Sequence, residues 1–213
     1  MDIPLMQKLQ NITGGSTVSG WMCDEVCRLL YAIVQFYRPQ VVIQTGHLWG
    51  KSALVVLDAI RKTDDCYALT GDPAFDSFVR FRSHGPDRTC EVYSIDPNPA
   101  GVRDWTAGVE LLRSEYPDFH FSLARSSEWF ETVKGKWKTS RIMGIVDGDH
   151  SEEGCTGDLE GLRDLRAELI VVDDTCWLPL LGRVASGFAA SSGYDYLNLP
   201  WYNGVGILLK KRA

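Results

Sequence analysis

The sequence predicts an α/β chain built on a doubly wound, mainly parallel sheet. Short apolar runs alternate with helical patterns from Val41 onward. Repeated β-α units of that kind imply parallel strands with helices on both faces. Two of the runs, Ile142-Met-Gly-Ile-Val-Asp-Gly-Asp-His150 and Leu169-Ile-Val-Val-Asp-Asp174, end in carboxylates. The last two extended segments, Tyr194–Leu199 and Gly204–Lys211, are joined by Pro-Trp-Tyr-Asn. That link permits an antiparallel pair and is too short for a crossover helix.

Each element follows from local pattern. An N-terminal helical segment is expected over 1–38. Its clearest part has Val26, Leu29, Leu30, Ile33, Val34 and Tyr37 at helical spacing, and Pro39 helps to end it. Val41-Val-Ile-Gln-Thr45 reads as a buried strand, Gly46 to Gly50 as a turn, and Lys51 to Arg61 as a helix. Val92 to Asp96 and Phe119 to Leu123 are the next strands, joined by a helix from about Arg103 to Glu115. A short helix near Ser127–Val133 precedes the strand ending at Asp147. Cys155, Leu159, Leu162 and Leu165 mark the helix before the strand ending at Asp173. The stretch 62–90 has weak periodicity and exceeds most αβ connections in length; it reads as an insertion loop near the crevice, with His84 inside it.

Bulk properties narrow the function. The chain has 213 residues, is 45% hydrophobic and carries a net charge of −6. One domain over 1–213 is expected. No global basic field favours nucleic acid. No apolar run approaches the roughly 18–20 residues of a membrane span, and the N-terminus lacks the features of a signal peptide. The six cysteines are scattered, which suits a reducing, cytoplasmic setting. Cys23 and Cys27 stand at i, i+4 and read as helix packing rather than a zinc pair.

The chemistry is expected at the carboxyl ends of the strands, where an open α/β sheet binds its ligands. Asp147, Asp149, Asp173 and Asp174 would meet there. Clustered carboxylates repel unless a cation, a proton or a substrate offsets the cost, and oxygen-rich clusters suit hard cations such as Mg²⁺, Ca²⁺ or Mn²⁺.

Four motifs in order then carry a resemblance. Val41-Val-Ile-Gln-Thr-Gly-His-Leu-Trp-Gly-Lys-Ser-Ala-Leu54 resembles the first glycine-rich motif of class I S-adenosylmethionine-dependent methyltransferases. Val92-Tyr-Ser-Ile-Asp-Pro97 resembles their second strand. Ile145-Val-Asp-Gly-Asp-His150 and Val171-Val-Asp-Asp174 resemble the metal-binding members, among them catechol, caffeoyl-coenzyme A and macrocin-type O-methyltransferases and the cephalosporin-hydroxylase-like group. The resemblance runs from about Thr17 to the C-terminus. It implies a Rossmann-like seven-stranded sheet whose C-terminal strand is antiparallel. The spacing Gly46-x-x-x-Gly50 departs from the G-x-G-x-x-G of dinucleotide-binding domains.

The resemblance also implies roles. Gln44, Thr45, Gly46, Gly50 and Ser52 would face the methionine part of the cofactor. Asp96 would accept the ribose hydroxyls, Ser126 and Ser127 would reach the adenine, and Trp129 would cover a ring or pack in the core. Asp147, besides meeting the cofactor, would join Asp173 and Asp174 in holding Mg²⁺ or another divalent cation. Asp149 or His150 would be the general base, or His150 would pack beside the cofactor. Two departures stand out. Gln44 replaces the family's acid, and His47, Leu48 and Trp49 are bulky where small residues are common. Trp177, Trp201, Tyr202 and Asn203 would wall a pocket for a sugar or aromatic ring, or lie in the core or an oligomer interface. The expected activity is methylation of a hydroxyl on a small molecule or sugar. A same-fold enzyme of different reaction and a silent cofactor-binding protein are the alternatives.

Overall fold

The computed structural model describes residues 3–14, 22–68, 90–98 and 104–212. Its strands are β1 (Val41–Thr45), β2 (Glu91–Ile95), β3 (Phe119–Ser122), β4 (Ile142–Val146), β5 (Leu169–Val172), β6 (Tyr194–Leu199) and β7 (Val205–Lys210). They form one sheet in the order β3-β2-β1-β4-β5-β7-β6. The pairs β1·β2, β1·β4, β2·β3 and β4·β5 are parallel, while β7 runs antiparallel to both β5 and β6. Only β7 is reversed, as the short hairpin link requires.

Helices α1 (Ile3–Thr13), α2 (Asp24–Tyr37), α3 (Lys51–Ala68) and α4 (Trp105–Glu115) cover one face. Helices α5 (Ser126–Thr132), α6 (Glu152–Asp164) and α7 (Pro179–Ser192) cover the other. Successive strand residues point to opposite faces. Val42, Val92, Met143, Ile145 and Val171 therefore join the core beneath α2–α4. Val41, Ile43, Ile95, Val146 and Val172 meet Trp129, Leu159 and Leu162 on the far side. Both faces are buried, so the strands read as continuous apolar runs rather than alternating ones.

Local chemistry sets the helix ends. Asp104 accepts the Ala107 N–H at 3.0 Å at the start of α4, and Ser151 accepts the Gly154 N–H at 3.0 Å at the start of α6. Pro39 follows Arg38, which closes α2 in the left-handed region at φ 54. Helix α3 continues to Ala68, past the expected end at Arg61. The polar run Lys62-Thr-Asp-Asp interrupts the apolar stripe without breaking the backbone hydrogen-bond ladder, so periodicity alone places the end too early. Residues 69–89 of the expected insertion, with His84, lie outside the described residues.

The chain leaves β1 toward β2 and β3, and returns through β4 to β5. The reversal of strand order thus falls between β1 and β4, where doubly wound sheets open a crevice. Gly46 and Asp147 are the first residues beyond those two strands.

Candidate active site

A cleft of about 1070 Å³ opens at this point. Its floor is the turn after β1. Gly46 has φ +81, and a Cβ built on it would run into the carbonyl oxygen of Asp147. Only glycine permits so close a backbone approach. The Gly46 N–H donates to the Ile95 carbonyl at 2.8 Å and the Asp147 N–H to the Thr45 carbonyl at 3.1 Å, so the sheet's pairing extends into the turn. Gly50, at φ +89, packs against the His47 ring and Leu112 and accepts the Leu54 N–H as α3 begins.

The bulky turn residues border the cleft and are packed into its wall. His47 and Trp49 are buried. The His47 ring lies against Phe119 and Phe121, and its Nδ1 is 2.8 Å from Ser94 Oγ. Burial drops its pKa to about 4, against a weak upward pull from Asp96. His47 is thus a neutral core group. The turn's outer backbone is held by Asp96, whose Oδ2 accepts the N–H groups of His47 (2.9 Å) and Leu48 (3.0 Å), while Oδ1 accepts that of Asn98 (2.9 Å). Asp96 borders the cleft, and Oδ1 keeps a lone pair for a ligand hydroxyl.

Gln44 is buried beneath the same turn. Its Nε2 donates to the Gly46 carbonyl and to Ser52 Oγ, both at 2.6 Å, and its Oε1 is a buried acceptor with no partner. Gln44 does not line the cleft, whereas Thr45, Gly46 and Ser52 do. Ser126 and Ser127, at the start of α5, line the opposite wall. Trp129 does not reach it. It is buried against Tyr93, Phe130 and Trp137, which settles its place in the core. His120 lies on the outer strand β3, stacked on Tyr93.

Two further charged residues border the cleft. Lys51 Nζ donates to the Met22 carbonyl at 2.9 Å and to Asp24 Oδ1 at 2.6 Å, tying the start of α2 to the start of α3. Asp158, on α6, is 2% exposed yet borders the cleft. Burial pushes its carboxyl up, opposed by the hydroxyls of Ser126 and Thr45. The available signal for Asp158 was its position: it shares a helical face with Cys155, Leu159 and Leu162, where an acid is out of place.

The acidic end lies beyond β4 and β5. Asp149 is exposed at the cleft edge, with its Oδ1 accepting the Ser151 N–H at 2.9 Å. His150 Nε2 stands 3.7 Å from Asp147 Oδ1 and 3.7 Å from Asp174 Oδ2. That separation is an ion-pair contact and too long for a hydrogen bond; Nε2 is buried with no hydrogen-bond partner. One donor atom from each of Asp147, His150 and Asp174 lies within 4.8 Å of the others. Burial pushes the Asp147 carboxyl up, partly offset by His150 and reinforced by Asp174. Asp147 in turn holds the His150 imidazole above its ordinary value, against burial. Burial also raises Asp174.

Asp173 belongs to a different environment. It is 2% exposed, and its Oδ1 accepts the Asp174 N–H at 2.9 Å. Burial, followed by the charges of Asp147 and Asp174, raises its carboxyl to about 8. It also lies within electrostatic reach of Cys23 and Cys27 at the start of α2. Among the described residues it is not part of the convergent donor group. Asp174 takes the left-handed backbone, φ 59. The loop after β5 is pinned to the hairpin by the Asn203 carbonyl, which accepts the N–H groups of Cys176 (2.7 Å) and Trp177 (2.8 Å). Trp177, Trp201 and Tyr202 stand exposed there and do not line the cleft.

No family model and no curated protein matches the sequence. Solved structures match the fold. A methyltransferase from Podospora anserina, bound to S-adenosylhomocysteine, superposes with a TM-score of 0.70 at 13% identity, over 100% of this chain and 89% of that one. An O-methyltransferase from Bacillus cereus in complex with S-adenosylhomocysteine gives 0.64 at 12% identity, over 99% and 92%. A methyltransferase from Geobacter sulfurreducens gives 0.62 at 16% identity, over 97% and 89%. The chain has the class I methyltransferase fold, and at these identities the likeness is one of fold.

Proposed function

We propose that the protein is an S-adenosylmethionine-dependent O-methyltransferase acting on a hydroxyl of a small molecule or sugar, assisted by a divalent cation. One observation carries the reading. A single cleft at the strand-order reversal is lined by the glycine turn, Asp96, Ser126 and Ser127, and also by Asp147 and His150 of the acidic end. A nucleoside-bearing cofactor and a hydroxyl activated by a cation would share that space.

The residues suit both groups. Asp96 has acceptor capacity for ribose hydroxyls, Ser126 and Ser127 offer hydroxyls for a base edge, and Ser52 stands at the start of α3, where a carboxylate is favoured. His150 Nε2, which has no hydrogen-bond partner, faces two carboxylates, a donor set that suits a cation. When bound, the cofactor supplies an electrophilic methyl group, and a cation lowers the pKa of a hydroxyl beside it. The protein's own part is to hold the two reactants in line and exclude water. Asp149, at the cleft edge, can take the hydroxyl proton. A net charge of −6 favours a small molecule over nucleic acid, and among the described residues no helix is long and apolar enough to cross a membrane. The exposed Trp201 and Tyr202, which lie outside the cleft, suit a second copy of the chain.

Calorimetry with S-adenosylmethionine, with and without Mg²⁺, tests the reading. Binding with a dissociation constant of roughly micromolar order, weakened in Asp96→Asn, is the expected result. No heat of binding in either condition sinks the cofactor assignment.

A further inference from the structure

Gln44 does not touch the cleft, yet its amide joins the glycine turn to a residue that does. We infer that Gln44 is a positioning residue: it fixes the Ser52 hydroxyl as a hydrogen-bond donor into the cleft, so that the glycine-turn end reads the carboxylate of its ligand. For the identity of that ligand this rests on the function proposed above.

The direction of each hydrogen bond follows from its partners. Gln44 is 1% exposed, and its Nε2 lies 2.6 Å from the Gly46 carbonyl and 2.6 Å from Ser52 Oγ. A carbonyl only accepts, so the Gly46 contact decides which end of the amide faces the turn. The reverse orientation would set Oε1 against the carbonyl oxygen. An amide nitrogen carries two hydrogens; one goes to Gly46 and the other to Ser52. Ser52 Oγ therefore accepts from Gln44 and keeps its own proton to give. Among the described residues that oxygen makes no other hydrogen bond. Ser52 lines the cleft, so a ligand acceptor there completes the chain from Gly46 through Gln44 and Ser52.

The arrangement leaves Gln44 Oε1 buried without a partner, a state that costs free energy. A glutamate has nearly the same shape but, once ionised, nothing to donate. It would repel the Gly46 carbonyl, draw the Ser52 proton inward and place a negative charge behind the turn. The cleft would then face a lone pair instead of a proton. The amide does the reverse and adds no charge.

The neighbouring groups suit an anion. Ser52 stands in the first turn of α3, where free N–H groups favour negative charge. Lys51 lines the same wall, its ammonium held by the Met22 carbonyl at 2.9 Å and Asp24 Oδ1 at 2.6 Å. A carboxylate is both an acceptor for the Ser52 proton and a negative charge.

The test uses the full chain and calorimetry with S-adenosylhomocysteine and with its decarboxylated analogue, which keeps the nucleoside and the ammonium. The parent should bind S-adenosylhomocysteine about tenfold or more tighter, as a hydrogen bond to a charged group implies. Gln44→Glu and Ser52→Ala should each bring the two affinities to within about threefold. The double variant should show no further loss, because both changes remove the same donor. A merely structural role for Gln44 would weaken both ligands alike and leave their ratio unchanged. Thermal melting identifies a variant that fails to fold. The unaltered protein supplies a second measurement: both Gln44 side-chain amide protons should resist exchange with solvent, and Ser52→Ala should shift one of them alone. Equal affinities in the parent, a preference that survives in either variant, or a freely exchanging Gln44 amide would each overturn the inference. Failure of the methyltransferase reading would show instead as absent S-adenosylhomocysteine binding by the parent. Sodium acetate then supplies the carboxylate. It should shift the Ser52 backbone amide resonance in the parent and not in Gln44→Glu, and equal or absent shifts in the two overturn the inference.

Discussion

The two ends of the cleft are built on opposite principles. At the glycine turn the polar groups are largely satisfied from within: Asp96 takes three backbone N–H groups and Gln44 bridges Gly46 and Ser52. At the acidic end, Asp147, Asp173 and Asp174 are all pushed toward protonation, and His150 stands between two carboxylates without a hydrogen bond. The first end is a rigid scaffold that contributes to stability whether or not a ligand is present. The second holds an electrostatic cost that a bound cation would offset. Perturbations at the first should therefore cost stability, and perturbations at the second should cost binding while leaving the metal-free fold as stable or more so.

The largest effect is expected from Gly46→Ala. Its Cβ would meet main-chain atoms of Asp147 and Gly148, which cannot move aside without parting β1 from β4, and the positive φ adds strain. A loss above about 4 kcal/mol, or failure to fold, is expected in urea unfolding. Asp96→Ala comes next. It leaves three N–H groups without their acceptor, and each unsatisfied buried donor costs about 1–3 kcal/mol. Water will reach some of them, so roughly 3 kcal/mol in total is expected, together with lost S-adenosylmethionine binding.

His47 gives the scaffold a pH signature. Its folded pKa, about 4, is below its unfolded value of 6.5. The unfolded chain therefore binds more protons between those values, and stability is lost as pH falls from about 6.5 toward 4. A shift of that size corresponds to about 3 kcal/mol. Unfolding free energies measured across that range should fall more steeply in the parent than in His47→Gln. Equal slopes would mean that the imidazole is not held neutral by burial.

How much of this contrast was legible in the sequence depends on the kind of force involved. The strands were legible because burial on both faces makes Val41–Ile43, Ile142–Val146 and Leu169–Val172 apolar runs. Asp96, Asp147 and the glycine turn were placed at the cleft for the same reason: strand ends define the crevice. The burial of His47 and Trp49 in the cleft wall was not legible, because bulk in a sequence does not say how a side chain packs. Nor was the grouping of His150 with Asp147 and Asp174, since a sequence does not show which of two adjacent acids a left-handed residue such as Asp174 turns toward the imidazole. The acid Asp158 could be read only by asking why a charged residue interrupts an apolar helical stripe.

At the acidic end the sign reverses. Asp174→Asn keeps a side chain that tolerates φ 59 and removes a charge that burial disfavours. Metal-free stability at neutral pH should stay the same or rise by up to about 1 kcal/mol, while divalent-cation binding is lost. A clear destabilisation would place this carboxylate with the scaffold, as a counter-ion that His150 needs for folding.

The most discriminating effect belongs to Asp173. Its carboxyl is raised to about 8, so the folded state binds the extra proton between the unfolded carboxylate value and pH 8. The resulting stability is fully present below about pH 4 and is lost as pH rises through 8. Asn resembles the protonated acid in shape but cannot ionise. Asp173→Asn should therefore match the parent near pH 4 and exceed it by a margin that grows up to about pH 8 and persists at pH 9, in metal-free protein followed by thermal melting. A variant equal to the parent across that range would mean that Asp173 ionises freely. Its carboxylate would then be available at neutral pH, and the division between a satisfied scaffold and an electrostatically strained acidic end would lose one of its three acids.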